Sequence, residues 1–238
     1  MELPFTPGQF FEVFSEYNRA FWFVALVLWL GSVAVLAAAW RNPVGASRSL
    51  ALFLGALWGW NAVAYHAWLF TRINPAAWFF AFLFAAQAGL LFLAARTPVE
   101  YFSAAGPKRV LGISLVSYAL VYPFLTLALG HTYSPTPTFS VPCPTDLLTI
   151  GVLLTVRGGV PVRLAIIPLI WGFVGGSAAL LLDVRTDYVL LAAGVALVVA
   201  LITQRRHGSS AAGEVSIVAD GYSGRLSRSR ARRRRFLI

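Results

Sequence analysis

TDLLTIGVLLTVRGGVPVR, residues 145–163, is the stretch on which the reading of this chain turns. Its first part, residues 145–156, is apolar but only 12 residues long, and Arg157 and Arg163 follow it. A helix that crosses a bilayer needs about 20 apolar residues at about 1.5 Å each. By length alone the segment is either a short span or a re-entrant piece buried in protein. The charges around it decide between the two.

Six stronger apolar runs flank it, over residues 20–40, 49–70, 76–95, 110–130, 164–182 and 188–203. Short loops rich in Lys and Arg stay on the cytoplasmic side. If the short run crosses, one side collects Arg41, Arg48, Arg96, Lys108, Arg109, Arg157, Arg163 and the C-terminal arginines, 16 of the 19 basic residues. The other side keeps Arg19, Arg72 and Arg185, together with Glu2, Glu12, Glu16, Asp146, Asp183 and Asp187. If it does not cross, the Arg157–Arg163 loop and the arginine-rich tail both fall outside. The expected fold is therefore an all-α, seven-transmembrane helix bundle of the cytoplasmic membrane, with the N-terminus outside and the C-terminus in the cytoplasm.

Composition agrees. Of 238 residues, 58% are hydrophobic and 12% charged, against about 25% charged in soluble domains. Backbone groups in hydrocarbon must be satisfied within their own segment, so helices are the expected spanning element. The first residues lack a basic n-region, so no cleavable signal peptide is expected.

Three parts follow. Residues 1–19 read as an interfacial N-terminal helix: Thr6 can cap it, Pro7 fits its first position, and Phe10, Val13, Phe14 and Tyr17 recur at helical spacing. The alternative is an extension of the first span. Residues 20–203 are the seven-span domain. Residues 204–238 hold nine arginines against Glu214 and Asp220, with little apolar content, and read as a disordered cytoplasmic tail. Its Arg205, Arg206, Arg232, Arg233, Arg234 and Arg235 are expected to meet anionic lipid headgroups, each worth about 1 kcal/mol near such a surface. The bilayer is the first partner, a membrane protein a further one. So short an arginine run is not specific for nucleic acid.

Candidate chemistry gathers on the outer side. The second run includes LWGWNAVAYHAWLF, residues 57–70; Gly55 just before it, Gly59, Ala62 and His66 share one helical face, and Asn61 and Tyr65 lie on the same stretch. Gly55/Gly59 and Gly172/Gly176 are small-xxx-small pairs that let helices approach closely. An ionisable side chain inside a span is by default a candidate site; its plain alternative is an imidazole bonded to a carbonyl or a nearby Tyr. The proline-rich loop over residues 130–146 brings His131, Cys143 and Asp146 to the same side. Pro135 and Pro144 keep it from being helical, and Phe139 and Val141 pack it back on the bundle. Two imidazoles, a thiolate and a carboxylate suit copper or zinc; two imidazoles alone suit haem. Asn74 and Pro75 read as a helix start. Asn61, Gln87, Tyr118, Tyr122 and Ser177 read as polar groups joining spans.

Other classes lose weight. Cys143 is the only cysteine, so neither an intrachain disulfide nor a Cys-pair zinc motif forms. No Asp, Glu or Lys falls at the centre of a run, unlike ion-coupled pumps. The only lysine, Lys108, is in a loop, so no retinal Schiff base forms in the last span. The functional readings are a binding or accessory membrane protein, a metal- or haem-binding redox protein using His66 and His131, an enzyme with Cys143 as nucleophile, and a small-molecule transporter.

FFEVFSEYNRAFW (residues 10–22), WGWNAVAYHAWLFTRINPAA (58–77) and GHTYSPTPTFSVPCPT (130–145) ahead of LLTIGVLLT together resemble a bacterial multi-pass membrane family of unknown function, DUF6064. The resemblance covers residues 3 to 200 and excludes the tail. It implies an integral membrane protein and carries no catalytic residues over.

Overall fold

The structure, a computed structural model, describes residues 4–128 and 135–205. Seven α-helices and no strand occur among them. They are α1 (Pro7–Arg41), α2 (Ser47–Trp60), α3 (Ala77–Ala94), α4 (Pro107–Ala128), α5 (Pro142–Leu154), α6 (Val162–Leu182) and α7 (residues 189–205). α2 runs on as a π-helix over Asn61–Leu69 and a 3-10 turn over Phe70–Arg72. A second 3-10 turn, Arg185–Tyr188, leads into α7. Each apolar run of the sequence lies on a helical segment. One compact unit ends at Ala200, and a second begins at Leu201.

Five segments are long and apolar enough to cross a membrane: α1, α3, α4, α6 and Arg185–Arg205. Their outward faces carry Trp22, Phe23, Leu30, Phe79, Phe82, Val110, Phe124, Ile166 and Val195, all exposed. So many large apolar side chains turned outward suit a hydrocarbon solvent.

α1 opens with a reciprocal cap: Gln9 N donates to Thr6 Oγ1, and Thr6 N donates to Gln9 Oε1. The helix bends at Phe21, where φ −128° and ψ 16° leave the helical range. The limb before the bend does not stand free. Val13, Phe14 and Tyr17 pack with Ala64, Tyr65, Leu69, Phe70 and Val141. It thus lies over one end of the bundle, called here the Pro7 end.

α5 has 13 residues, about 20 Å by helical rise, and every one except Cys143 is buried. It packs against α2, α4 and α6. Its shortness is made up by loops that fold inward. At its start, Phe139, Ser140 and Val141 are buried. At its end, Phe102 N donates to Thr155 Oγ1 and Ala104 N to the Thr155 carbonyl. Tyr101 is buried there too, and burial pushes its phenol up to about 12. Arg157 pairs with Glu100 at 2.9 Å, tying the loop after α5 to the loop after α3.

Glycines set the closest approaches. Phe92 fills the place of a Gly55 β-carbon, and Ala88 faces Gly59, so that pair joins α2 to α3. Gly172 and Gly176 join α6 to α7 through Leu190, Leu191 and Gly194. Both pairs serve packing within the chain.

Candidate functional site

A π-helix continues α2 over Asn61–Leu69. Its hydrogen bonds reach one residue further than those of an α-helix, the form is rare, and it recurs at functional sites. Asn61, Tyr65 and His66 all lie on it and are buried. Asn61 Nδ2 donates to the Leu57 carbonyl (2.9 Å) and to Thr145 Oγ1 (3.1 Å). One turn earlier, Trp58 Nε1 donates to Thr149 Oγ1 (2.9 Å). These bonds fix α2 against α5.

His66 is fully buried. Tyr65, Phe70, Phe80, Phe84 and Trp171 surround it, with ring centroids 4.5 to 6.2 Å away. Neither ring nitrogen has a hydrogen-bond partner among the described residues. No carbonyl or tyrosine hydroxyl among those residues takes the bond expected for a structural imidazole. His66 is also the only histidine among the described residues; His131 lies outside them.

Beyond the Trp171 ring lies a cavity of about 230 Å³ at the Pro7 end. Phe5, Phe10 and Phe14 of the N-terminal segment, Tyr65 and Phe70 of the α2 extension, and Phe80 and Trp171 line it. Val174, Ser177, Ala178 and Leu181 of α6 form another wall. Its polar edge is Cys143 and Asp187. Tyr122 Oη donates to Asp187 Oδ1. Thr186 Oγ1 donates to Tyr122 Oη (3.3 Å), and Tyr118 Oη donates to the Thr186 carbonyl (2.9 Å). Cys143 lies within hydrogen-bonding reach of Asp187. The Trp171 N–H faces the thiol without closing a well-formed hydrogen bond. Among the described residues the hydrogen-bonding partner of this thiol is thus an acid.

The loop before α5 is held by α1. Tyr17 Oη donates to the Ser140 carbonyl (2.9 Å) and lies 2.7 Å from Ser140 Oγ; Trp60 Nε1 donates to Tyr17 Oη (2.6 Å). Asn18 Nδ2 donates to the Thr136 carbonyl (2.8 Å).

The chain matches the family described as "Family of unknown function (DUF6064)" over residues 7–212. It belongs to that family. No curated protein and no solved structure matches it.

In this DUF6064 member, the structure gathers Tyr65 and Cys143 at one cavity and sets Asn61 on the α2–α5 contact. Asp146 stands elsewhere. It is fully buried, its Oδ2 3.7 Å from where a Gly172 β-carbon would be, and both its oxygens lack partners among the described residues. No three His, Cys, Asp or Glu side chains among the described residues are placed to hold a metal ion. Of the tail arginines, Arg205 ends α7 and is exposed; Arg206 and Arg232 to Arg235 lie outside the described residues. Gln87 Nε2 donates to the Leu164 carbonyl (3.0 Å), joining α3 to α6. Asn74 Oδ1 accepts from Ala76 N (3.0 Å), so Asn74 starts the turn, with α3 beginning at Ala77.

Asp187, Tyr122 and Trp171 were not among the sequence candidates. Asp187 reads as one more outer-loop charge. Its one signal is position, a single acid immediately ahead of a long apolar run.

Proposed function

We propose that this chain is a seven-span protein of the cytoplasmic membrane, N-terminus outside, with a binding or accessory role exercised at the Pro7 end. The five long apolar helices support membrane insertion. The α2–π continuation over residues 47–69 and the buried α5 with its inturned loops are candidates for the remaining two crossings. The arginine distribution supports the orientation. Anionic lipid at the arginine tail stays part of the proposal.

The observation that carries the binding role is the cavity. It is apolar on most sides, and the N-terminal limb of α1 forms one wall. Convergent polar groups, Cys143 and Asp187, stand at one edge. Small-molecule sites have this character: hydrophobic and aromatic walls with few, placed polar groups. The ligand is a small, largely apolar molecule.

Cys143, the only cysteine, reports on it directly. In detergent-purified protein a small thiol reagent modifies Cys143, and Ala178→Phe, which fills the cavity from α6, slows that modification by an order of magnitude or more. Equal rates in the two proteins refute the cavity as an accessible site.

A transporter is the second reading. Asp146 and Asp187, both buried in the bundle, are the specific observation in its favour. Ligand-dependent flux in proteoliposomes separates it from binding alone.

A further inference from the structure

We infer that the cavity takes an organic ammonium ion carried on a hydrocarbon chain; the inference rests on the cavity reading above and adds the class of ligand. Among the described residues, Glu12, Glu16, Glu100 and Asp183 each pair with an arginine. Asp146 and Asp187 form no ion pair among those residues. Asp146 is sealed between helices, whereas Asp187 opens on the cavity. Its neighbours there, the Tyr122 hydroxyl and the Cys143 thiol, are neutral donors. They orient the carboxyl and leave its charge uncompensated. A charge in an apolar interior calls for an opposite one.

The walls suit the same charge. Tyr65, Phe70, Phe80 and Trp171 present rings around the space, and ring faces attract cations, ammonium above all, most strongly when water is excluded. An anion would meet aromatic rings and a carboxyl together, and a neutral molecule would leave the carboxyl uncompensated. The hydrocarbon part follows from α6. Val174 and Leu181 line the cavity and are also exposed, Leu181 at 62%, on the apolar outer face of that helix. An ammonium head at Asp187 can therefore trail its chain along α6 toward lipid.

The test uses full-length protein in maltoside detergent and three probes of one length: octylammonium, octanol and octanoate. Binding is read from protection of Cys143 against alkylation and from tryptophan fluorescence. Octylammonium is expected to bind about tenfold more tightly than octanol, and octanoate most weakly. Asp187→Asn should bring octylammonium to the level of octanol while octanol is unchanged. Phe80→Leu, which leaves Asp187 in place, should narrow the same gap. If octanol and octylammonium bind the wild-type protein equally, the ammonium inference falls and the cavity stands. If none of the three binds, the cavity reading falls and takes the inference with it.

Discussion

Gly112 of α4 and Gly151 of α5 meet backbone to backbone: a β-carbon on Gly112 would come within 2.7 Å of the Gly151 carbonyl oxygen, and one on Gly151 within 2.8 Å of the Gly112 carbonyl oxygen. A backbone carbonyl cannot swing aside as a side chain can. Gly112→Ala or Gly151→Ala must push the central helix away from α4, and overpacking of this kind costs about 1–3 kcal/mol. Gly59→Ala is the control, since its nearest neighbour would be Ala88 at 3.8 Å. Thermal unfolding in detergent should show a clear loss for the first two and little change for the third.

Tyr17 links the first limb of α1 to the loop that enters α5. Tyr17→Phe removes its bond to Ser140 and leaves the Trp60 N–H without its acceptor. Leaving buried polar groups unpaired costs about 1–3 kcal/mol. The expected result is a lower melting temperature with faster amide exchange concentrated over residues 135–141. Ser140→Ala keeps the carbonyl acceptor and should be milder.

These two contacts show where sequence reading reaches and where it stops. Helix existence follows from apolar run length, the Thr6 cap from its place ahead of Pro7, and both glycine pairs from spacing; the answering bond from Gln9 lies outside that reading. The inward packing of the proline loop follows from Phe139 and Val141. The π-helix does not follow, because residues 61–69 carry the same apolar pattern an α-helix would. Nor does the bend at Phe21, which has no proline; tertiary hydrogen bonds from Tyr17 and Asn18 hold the limb before it. Asp146 and Asp187 read as outer-loop charges because topology places a residue at an end of the bundle, not inside or outside its packing. That distinction depends on loops folding inward, which only long-range contacts decide.

Asp146 offers a direct check on that burial. Neither of its oxygens has a partner among the described residues, so Asp146→Asn breaks no hydrogen bond or ion pair there and keeps the side-chain shape. The variant should melt at or above the wild-type temperature. A substantial loss would mean that the carboxyl holds an ion or a partner from the residues outside the described set.

Sidedness can be tested on a single helix. Ala76 and Thr97 are exposed and flank α3, whose 18 residues span about 27 Å. In a Cys143→Ser background, Ala76→Cys should react with a membrane-impermeant maleimide in intact cells, and Thr97→Cys only after permeabilisation. The reverse pattern overturns the orientation drawn from the arginines. Val162→Cys, exposed at the start of α6, then tests the short fifth helix. The Arg157–Glu100 pair holds the loop after α5 to the loop after α3, so Val162→Cys should behave as Thr97→Cys does. Reaction in intact cells would place α5 as re-entrant, and the bundle would have one crossing fewer.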